Sequence, residues 1–304
     1  MYPSYLSLLE NGELQKRLAL LKAHYHHCQL CPHTCGVNRV EGEFGICKSG
    51  PTPVVASYNV HHGEEPPISG TRGSGTIFLS GCSGRCIFCQ NYPISQIGTG
   101  SVENEERLAD MMLDLQVRGC HNINLVTPTH FLPSIVGALL ISAAKGLMIP
   151  LVYNTGGYER VEILRLLKGI VDIYLPDAKY GNNENAKDLS GFKNYVTYNR
   201  AALREMYRQV GNLIIENGIA KKGLLVRHLI LPENISGTVD VMKFLSEDIS
   251  PDVYVSLMDQ YFPAYKALQH ASLSRRITKS EYTNAINSFY VRRLHRGWIQ
   301  NHIS

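Results

Sequence analysis

Phe78-Leu79-Ser80-Gly81-Cys82-Ser83-Gly84-Arg85-Cys86-Ile87-Phe88-Cys89-Gln90-Asn91 begins inside a short β-branched run, Thr76–Ser80, and passes directly into a C-x3-C-x2-C loop. In a ferredoxin-type cluster each iron takes one thiolate. Cys82, Cys86 and Cys89 on one short loop therefore hold three irons of a four-iron, four-sulfur (4Fe-4S) cluster and leave the fourth open to another ligand. The alternative is a zinc ion held by these cysteines and a histidine such as His121 or His130, although zinc sites usually pair two C-x2-C knuckles. The loop follows a strand, and in a parallel barrel the carboxyl ends of the strands are where active sites form.

Working outward, short apolar runs alternate with longer amphipathic stretches, the pattern of β-α units around a parallel sheet. The strands are expected at Thr76–Ser80, Asn122–Val126, Ile149–Tyr153, Val171–Leu175, Leu224–Leu231 and Val253–Leu257, with helices near 104–118, 132–145, 159–168, 199–217, 238–247 and 280–294. Several strand ends carry Gly or Pro before a polar cluster: Gly81, Pro128, Gly156, Pro176 and Pro232. Six units fall short of the eight of a full TIM-type barrel. The fold class is therefore α/β, a partial (β/α)6 barrel over residues 71–304 with a gap that would admit a bulky substrate. Residues 1–70 read as a small Cys-rich N-terminal subdomain that begins with a surface helix over Met1–Leu21 and contains the turn-rich segment His61-His62-Gly63-Glu64-Glu65-Pro66-Pro67. The Gly-rich run Gly70–Gly75 precedes a strand instead of following one, so it is a loop leading into the barrel and not a dinucleotide-binding turn.

With 304 residues, 44% hydrophobic and 18% charged, the chain can bury a large core without disulfides. The net charge of +4 is small and the Lys and Arg residues are scattered; Arg292, Arg293 and Arg296 read as a solvated helix face, so no nucleic-acid partner is expected. The apolar stretch Ile135–Ile149 is interrupted by Ser142 and Lys145, short of the roughly 18 apolar residues of a membrane span. Met1–Leu21 lacks the features of a secretion signal, which points to a reducing, cytoplasmic setting where thiolates persist as ligands. Of the eight cysteines, Cys120 reads as a core thiol, and Cys28, Cys31, Cys35 and Cys47 stand in C-x2-C-x3-C-x11-C. Four thiolates suffice for a closed zinc site or an auxiliary iron-sulfur cluster.

On Cys82, Cys86, Phe88, Cys89 and Asn91 the sequence resembles the radical S-adenosylmethionine (SAM) superfamily, and more closely the proteins similar to the activating enzyme of pyruvate formate-lyase. The resemblance implies that SAM fills the open iron and is cleaved reductively to a 5′-deoxyadenosyl radical that abstracts hydrogen. It implies a reductant such as flavodoxin or ferredoxin, and a glycyl radical enzyme as the leading substrate, with a peptide or small metabolite as alternatives. A two-cluster electron-transfer protein is the rival from another class. Phe88 and Asn91 are implied near adenine and the methionyl group. Where the family has a Gly-Gly-Glu stretch this chain has Val126-Thr127-Pro128-Thr129-His130; the hydroxyls of Thr127 and Thr129, or carbonyls before Pro128, would receive the amino group of SAM. His130 would contact a ligand or donate a proton, unless it is structural. Asp177 and Lys179, two apart on one face of an extended segment, form a charged pair beside the methionyl group or an ion pair of the barrel rim. Asn154, Thr155 and Asp177 match positions implied near a monovalent cation, with Asn154 replacing an acid. Arg227 interrupts an apolar strand and needs an anionic partner, either the carboxylate or ribose region of SAM or a nearby Asp or Glu. Met258, Gln260 and Tyr261 complete the expected pocket.

Overall fold

The computed structural model describes residues 2–300; Met1, at the start of the expected first helix, and residues 301–304, at the end of the expected barrel, lie outside the described residues. Its strands are β1 (Val54–His61), β2 (Ser74–Leu79), β3 (Ser101–Val102), β4 (Ile123–Val126), β5 (Leu151–Thr155), β6 (Ile173–Pro176), β7 (Ile214–Glu216), β8 (Ile219–Leu229), β9 (Tyr254–Met258) and β10 (Gly297–Ile299). They form one sheet in the order β10-β9-β8-β6-β5-β4-β2-β1-β3, with β7 paired to β8. From β2 to β10 the main path is parallel. The six expected strands are present, and the sheet does not close, which makes the molecule a partial TIM-type barrel.

Two faces follow from the pleat. One register row, Ile77, Leu125, Tyr153, Tyr174 and Leu224, is buried against the outer helices. The alternate residues Val152, Ile173, Leu175 and Leu225 form a second small core with Ile68, Leu213 and Ala220. By parity this is the inner face. One position along the same face, Phe78, Val126 and Asn154 stand side by side at the carboxyl end of the sheet.

The helices are α1 (Tyr5–Glu10), α2 (Glu13–Ala23), α3 (Pro66–Ser69), α4 (Glu105–Val117), α5 (Leu132–Ala144), α6 (Val161–Leu166), α7 (Asn183–Ser190), α8 (Tyr195–Val210), α9 (Thr238–Phe244) and α10 (Lys279–Val291). Side-chain caps set several of their starts: Asn104 accepts from Arg107 N, Asn182 from Asn185 N, and Thr278 and Glu281 form a capping box.

Three expectations change. The N-terminal surface helix is a pair broken at Gly12 (φ 74°), and Tyr5, Leu14 and Leu21 are fully buried. Residues 1–70 also contribute β1, antiparallel to β2, to the main sheet. The helix expected over 199–217 starts at Tyr195, stops at Val210 and gives way to the β7–β8 hairpin, whose turn places Asn217 (φ 52°) and Gly218 (φ 79°) in the left-handed region. Asn-Gly is the dipeptide that such a turn favours. None of the described helices is long and apolar enough to cross a membrane.

Candidate active site

Strand β2 ends at Leu79, and Gly81 (φ 83°) turns the chain into the cysteine loop. A Cβ on Gly81 would meet Ser49 Oγ at 2.6 Å and the Cys47 carbonyl at 2.8 Å, so only glycine fits. The loop is pinned from outside: Arg85 N donates to Ser190 O at 2.8 Å, Ile87 N to Leu189 O at 2.9 Å, and Gln96 Nε2 to Gly84 O at 3.1 Å. Gly84 N donates to Cys82 Sγ at 3.2 Å, and Ser95 Oγ lies 3.1 Å from Cys89 Sγ.

Burial pushes the Cys82 thiol up to about 12 and raises Cys86 as well, against the pull of Lys179. Cys82 and Cys86 are therefore stable as thiolates there only with a metal in place of their protons. Among the described residues no three His, Cys, Asp or Glu side chains converge on a single ion, whereas cubane ligands each serve a different iron and stand apart. Three thiols on one loop, a sulfur-directed N–H and a nearby ammonium fit a 4Fe-4S cluster.

Cys82, Cys86 and Cys89 line a cavity of about 400 Å³ at the carboxyl ends of the strands. Lys179 Nζ donates to Asp177 Oδ2 at 2.5 Å across from the cysteines. Burial alone would lower the Lys179 ammonium, but Asp177 and Cys86 hold it above its ordinary value. Beside this pair Arg227 donates from Nε and Nη2 to both oxygens of Glu65 at 2.7 Å, from Nη2 to Glu64, and from Nη1 to Asn154 Oδ1 at 3.3 Å. Burial would raise the Glu65 carboxyl, yet Arg227 brings it below the usual range. Of the partners the sequence left open for Arg227, the protein supplies two carboxylates, both from the turn-rich segment after β1. The wall thus carries Glu64, Glu65 and Asp177 against Arg227 and Lys179, three carboxylates to two cations.

Asn91, Thr127, Asn154, Thr155 and Met258 also line the cavity, together with Gln260. Thr127 N donates to Asn154 O at 2.9 Å, with φ at 59°. That backbone is costly for a β-branched residue, and glycine adopts it freely.

Phe88, Thr129 and His130 face elsewhere. Phe88 is 4% exposed and packs edge-on to Tyr180 and Tyr261. His130 Nε2 donates to Ser80 O at 2.8 Å beneath the loop, and burial lowers the imidazole to about 4, so it is neutral at pH 7. His121 precedes β4, at the opposite end of the parallel strands from the cysteine loop. Thr129 Oγ1 donates to Glu159 Oε1 at 2.6 Å, and the Thr155 and Tyr153 hydroxyls donate to the same carboxylate. Fully buried, Glu159 is raised to about 7 by desolvation, with the three hydroxyls pulling the other way.

Sequence reasoning missed Glu64, Glu65 and Glu159. The adjacent acids before Pro66-Pro67 were a visible signal for the first two; nothing in the local pattern marked Glu159.

Residues 76–245, more than half of the chain, match the radical SAM superfamily. The chain belongs to that superfamily, whose members use a 4Fe-4S cluster and SAM. It is 32% identical over 291 residues to an uncharacterized protein of Methanocaldococcus jannaschii, covering 92% of this chain and 79% of that one. A second uncharacterized protein of the same organism is 25% identical over 172 residues, 48% of this chain and 50% of that one. Among solved structures, HydG, a maturase of the FeFe-hydrogenase, aligns with a TM-score of 0.49 and 12% identity over 77% of this chain and 53% of that one. Methylornithine synthase aligns with a TM-score of 0.46 and 14% identity over 70% and 60%.

Proposed function

We propose that this chain is a cytoplasmic enzyme that cleaves SAM reductively and directs the resulting radical at a segment of another protein, with the backbone glycine of a glycyl radical enzyme as the leading substrate. The observation that carries the reading is the meeting of Cys82, Cys86 and Cys89 with the Asp177–Lys179 pair in one cavity of about 400 Å³. When bound, a reduced cluster with one open iron supplies the electron that breaks a carbon–sulfur bond of the sulfonium.

The chain's own residues do the rest. Cys82, Cys86 and Cys89 hold the irons, and the loop's outward hydrogen bonds keep the three thiols on one side. Lys179 and Asp177 present a cation and an anion to the zwitterionic methionyl end. Thr127 lines the cavity at the end of β4 and would offer its hydroxyl to the methionyl end, its N–H being held by Asn154 O, while Phe78, Val126 and Met258 give an apolar surface for the adenine. The excess of carboxylates suits a sulfonium cation. Asn154, Thr155 and Asp177 would share any monovalent cation that accompanies it.

A cavity of this size is near the lower end for one cofactor-sized ligand. A second small molecule is not enclosed with it, so a substrate reaches the site through the gap in the sheet, as an extended protein segment can. A low-potential one-electron donor such as flavodoxin or ferredoxin completes the system.

Anaerobic reconstitution with iron and sulfide, then dithionite and SAM, should yield 5′-deoxyadenosine from the wild type and none from Cys86→Ala. Lys179→Met should keep its iron and need about tenfold more SAM. No 5′-deoxyadenosine from fully loaded wild type would favour a two-cluster electron carrier instead.

A further inference from the structure

The four cysteines of the first group are drawn together by a tight backbone wrap. Cys28 N donates to Val37 O at 3.0 Å, Gly36 N to Cys28 O at 2.9 Å, and Thr34 N to Cys31 O at 3.0 Å. A Cβ on Gly45 would lie 2.5 Å from Cys35 Sγ, so the loop leading to Cys47 passes directly over the Cys35 thiol. Cys28, Cys31 and Cys47 are buried.

Arg39 lies among them, 2% exposed. Its Nη2 donates to Cys47 Sγ at 3.4 Å, its Nη1 donates to the His130 carbonyl at 2.5 Å, its guanidinium lies 5.7 Å from the Tyr25 ring centroid, and its Nε has no partner. Among the described residues no Asp or Glu forms an ion pair with it, whereas the half-buried Arg227 has two. A guanidinium stays charged in a protein, and a buried charge without a counter-charge is strongly disfavoured. Its sulfur neighbours are the groups that can supply the negative charge.

We infer that Cys28, Cys31, Cys35 and Cys47 bind a metal centre as four thiolates and that Arg39 is its buried counter-charge. Among the described residues no three such side chains converge on one ion, which favours a cubane, whose ligands each serve a different iron, over a single zinc; with four thiolates either centre carries two negative charges, so one guanidinium leaves it with one. The shared chemistry is the tetrathiolate dianion. The centre abuts the radical-cluster loop on two sides: His33 Nε2 donates to Ser83 O at 2.8 Å, and the Cys47 carbonyl packs on Gly81. It thereby props the turn that aims Cys82. The inference does not depend on the proposed reaction.

The test uses the full chain carrying Cys82→Ala, Cys86→Ala and Cys89→Ala, in which any bound metal belongs to the first group. Elemental analysis, after purification and after anaerobic loading with iron and sulfide or with zinc, should find about one zinc or about four irons per chain, and the metal taken up distinguishes the two centres. Adding Arg39→Met should lower the metal content at least severalfold, and Arg39→Lys should restore it. A folded chain, judged by circular dichroism, that takes up neither metal would overturn the inference. So would metal that survives Cys28→Ser with Cys47→Ser, and undiminished metal in Arg39→Met would remove Arg39 from it.

Discussion

Glu159 holds its carboxylate where, among the described residues, no cation pairs with it, against the hydroxyls of Thr129, Thr155 and Tyr153. Desolvation raises it from 4.5 to about 7, equivalent to about 3 kcal/mol. As pH rises, the unfolded carboxyl ionises first, so the native state's advantage is full below about 4.5 and lost by about 7. Glutamine at this position does not titrate. In a background with Cys82, Cys86 and Cys89 replaced by alanine, so that acid loss of the cluster does not contribute, Glu159→Gln should therefore gain up to about 3 kcal/mol relative to its parent between those limits, read from urea midpoints. A constant difference would mean that Glu159 ionises at an ordinary pH. The carboxylate was not legible in the sequence because its environment depends on the fold: Tyr153 and Thr155 lie nearby on β5, but Thr129 comes from the turn after β4, 30 residues earlier. Arg227 shows the opposite case. An arginine in an apolar strand announces its need for an anion, but the identity of that anion, Glu64 and Glu65 more than 160 residues earlier, depends on the folded path.

The parallel strands were readable because both faces of each are covered, which leaves near-continuous apolar runs such as Leu224-Leu225-Val226. Strands β3, β7 and β10 are two or three residues long and carry no such run; β7 also continues the amphipathic pattern of α8 and was absorbed into it. Close approaches between elements were not readable either, and the one after β5 governs the site. Gly157 (φ 71°) lies so near the end of β6 that a Cβ would stand 2.1 Å from the Asp177 carbonyl and 2.4 Å from Asn199 Nδ2, which itself donates to both Gly157 O and Asp177 O. Gly157→Ala must displace the strand end that carries Asp177 and Lys179. A loss of about 1–3 kcal/mol in stability is expected, together with weaker SAM binding by the reconstituted enzyme. At Gly156 the nearest atom to an added Cβ is Phe192 Cζ at 4.0 Å, so Gly156→Ala should melt close to the wild type. Equal melting of the two variants would contradict this account of the β5–β6 approach.

A sheet that stops short of closure leaves the inner face of its strands to be filled from elsewhere, and the segment between β1 and β2 fills it. From Glu64 to Gly70 this strap crosses to the far side of the barrel: Ile68 is buried among Val152, Ile173, Leu175 and Leu225, Asn122 Nδ2 donates to its carbonyl at 2.8 Å, and a Cβ on Gly70 would touch the Ile219 side chain. The strap is the floor of the cavity as well as the plug of the barrel. Its upper end is fastened by the ion pairs of Arg227 on β8 with Glu64 and Glu65, so the charged wall of the site and the closure of the fold are one structure. Removing the cation alone leaves two buried carboxylates facing each other, and Arg227→Met should cost about 3–5 kcal/mol in urea unfolding of the chain without Cys82, Cys86 and Cys89. Glu64→Gln should cost less, because both Glu65 oxygens still receive Arg227. Adding Glu64→Gln and Glu65→Gln to Arg227→Met should recover most of the loss, since the repulsion and the unpaired charge disappear together. If Arg227→Met unfolded at the parent's urea concentration, the strap would be held by Ile68 and its neighbours alone, and the Glu64–Glu65 pair would have to be explained by what the cavity binds.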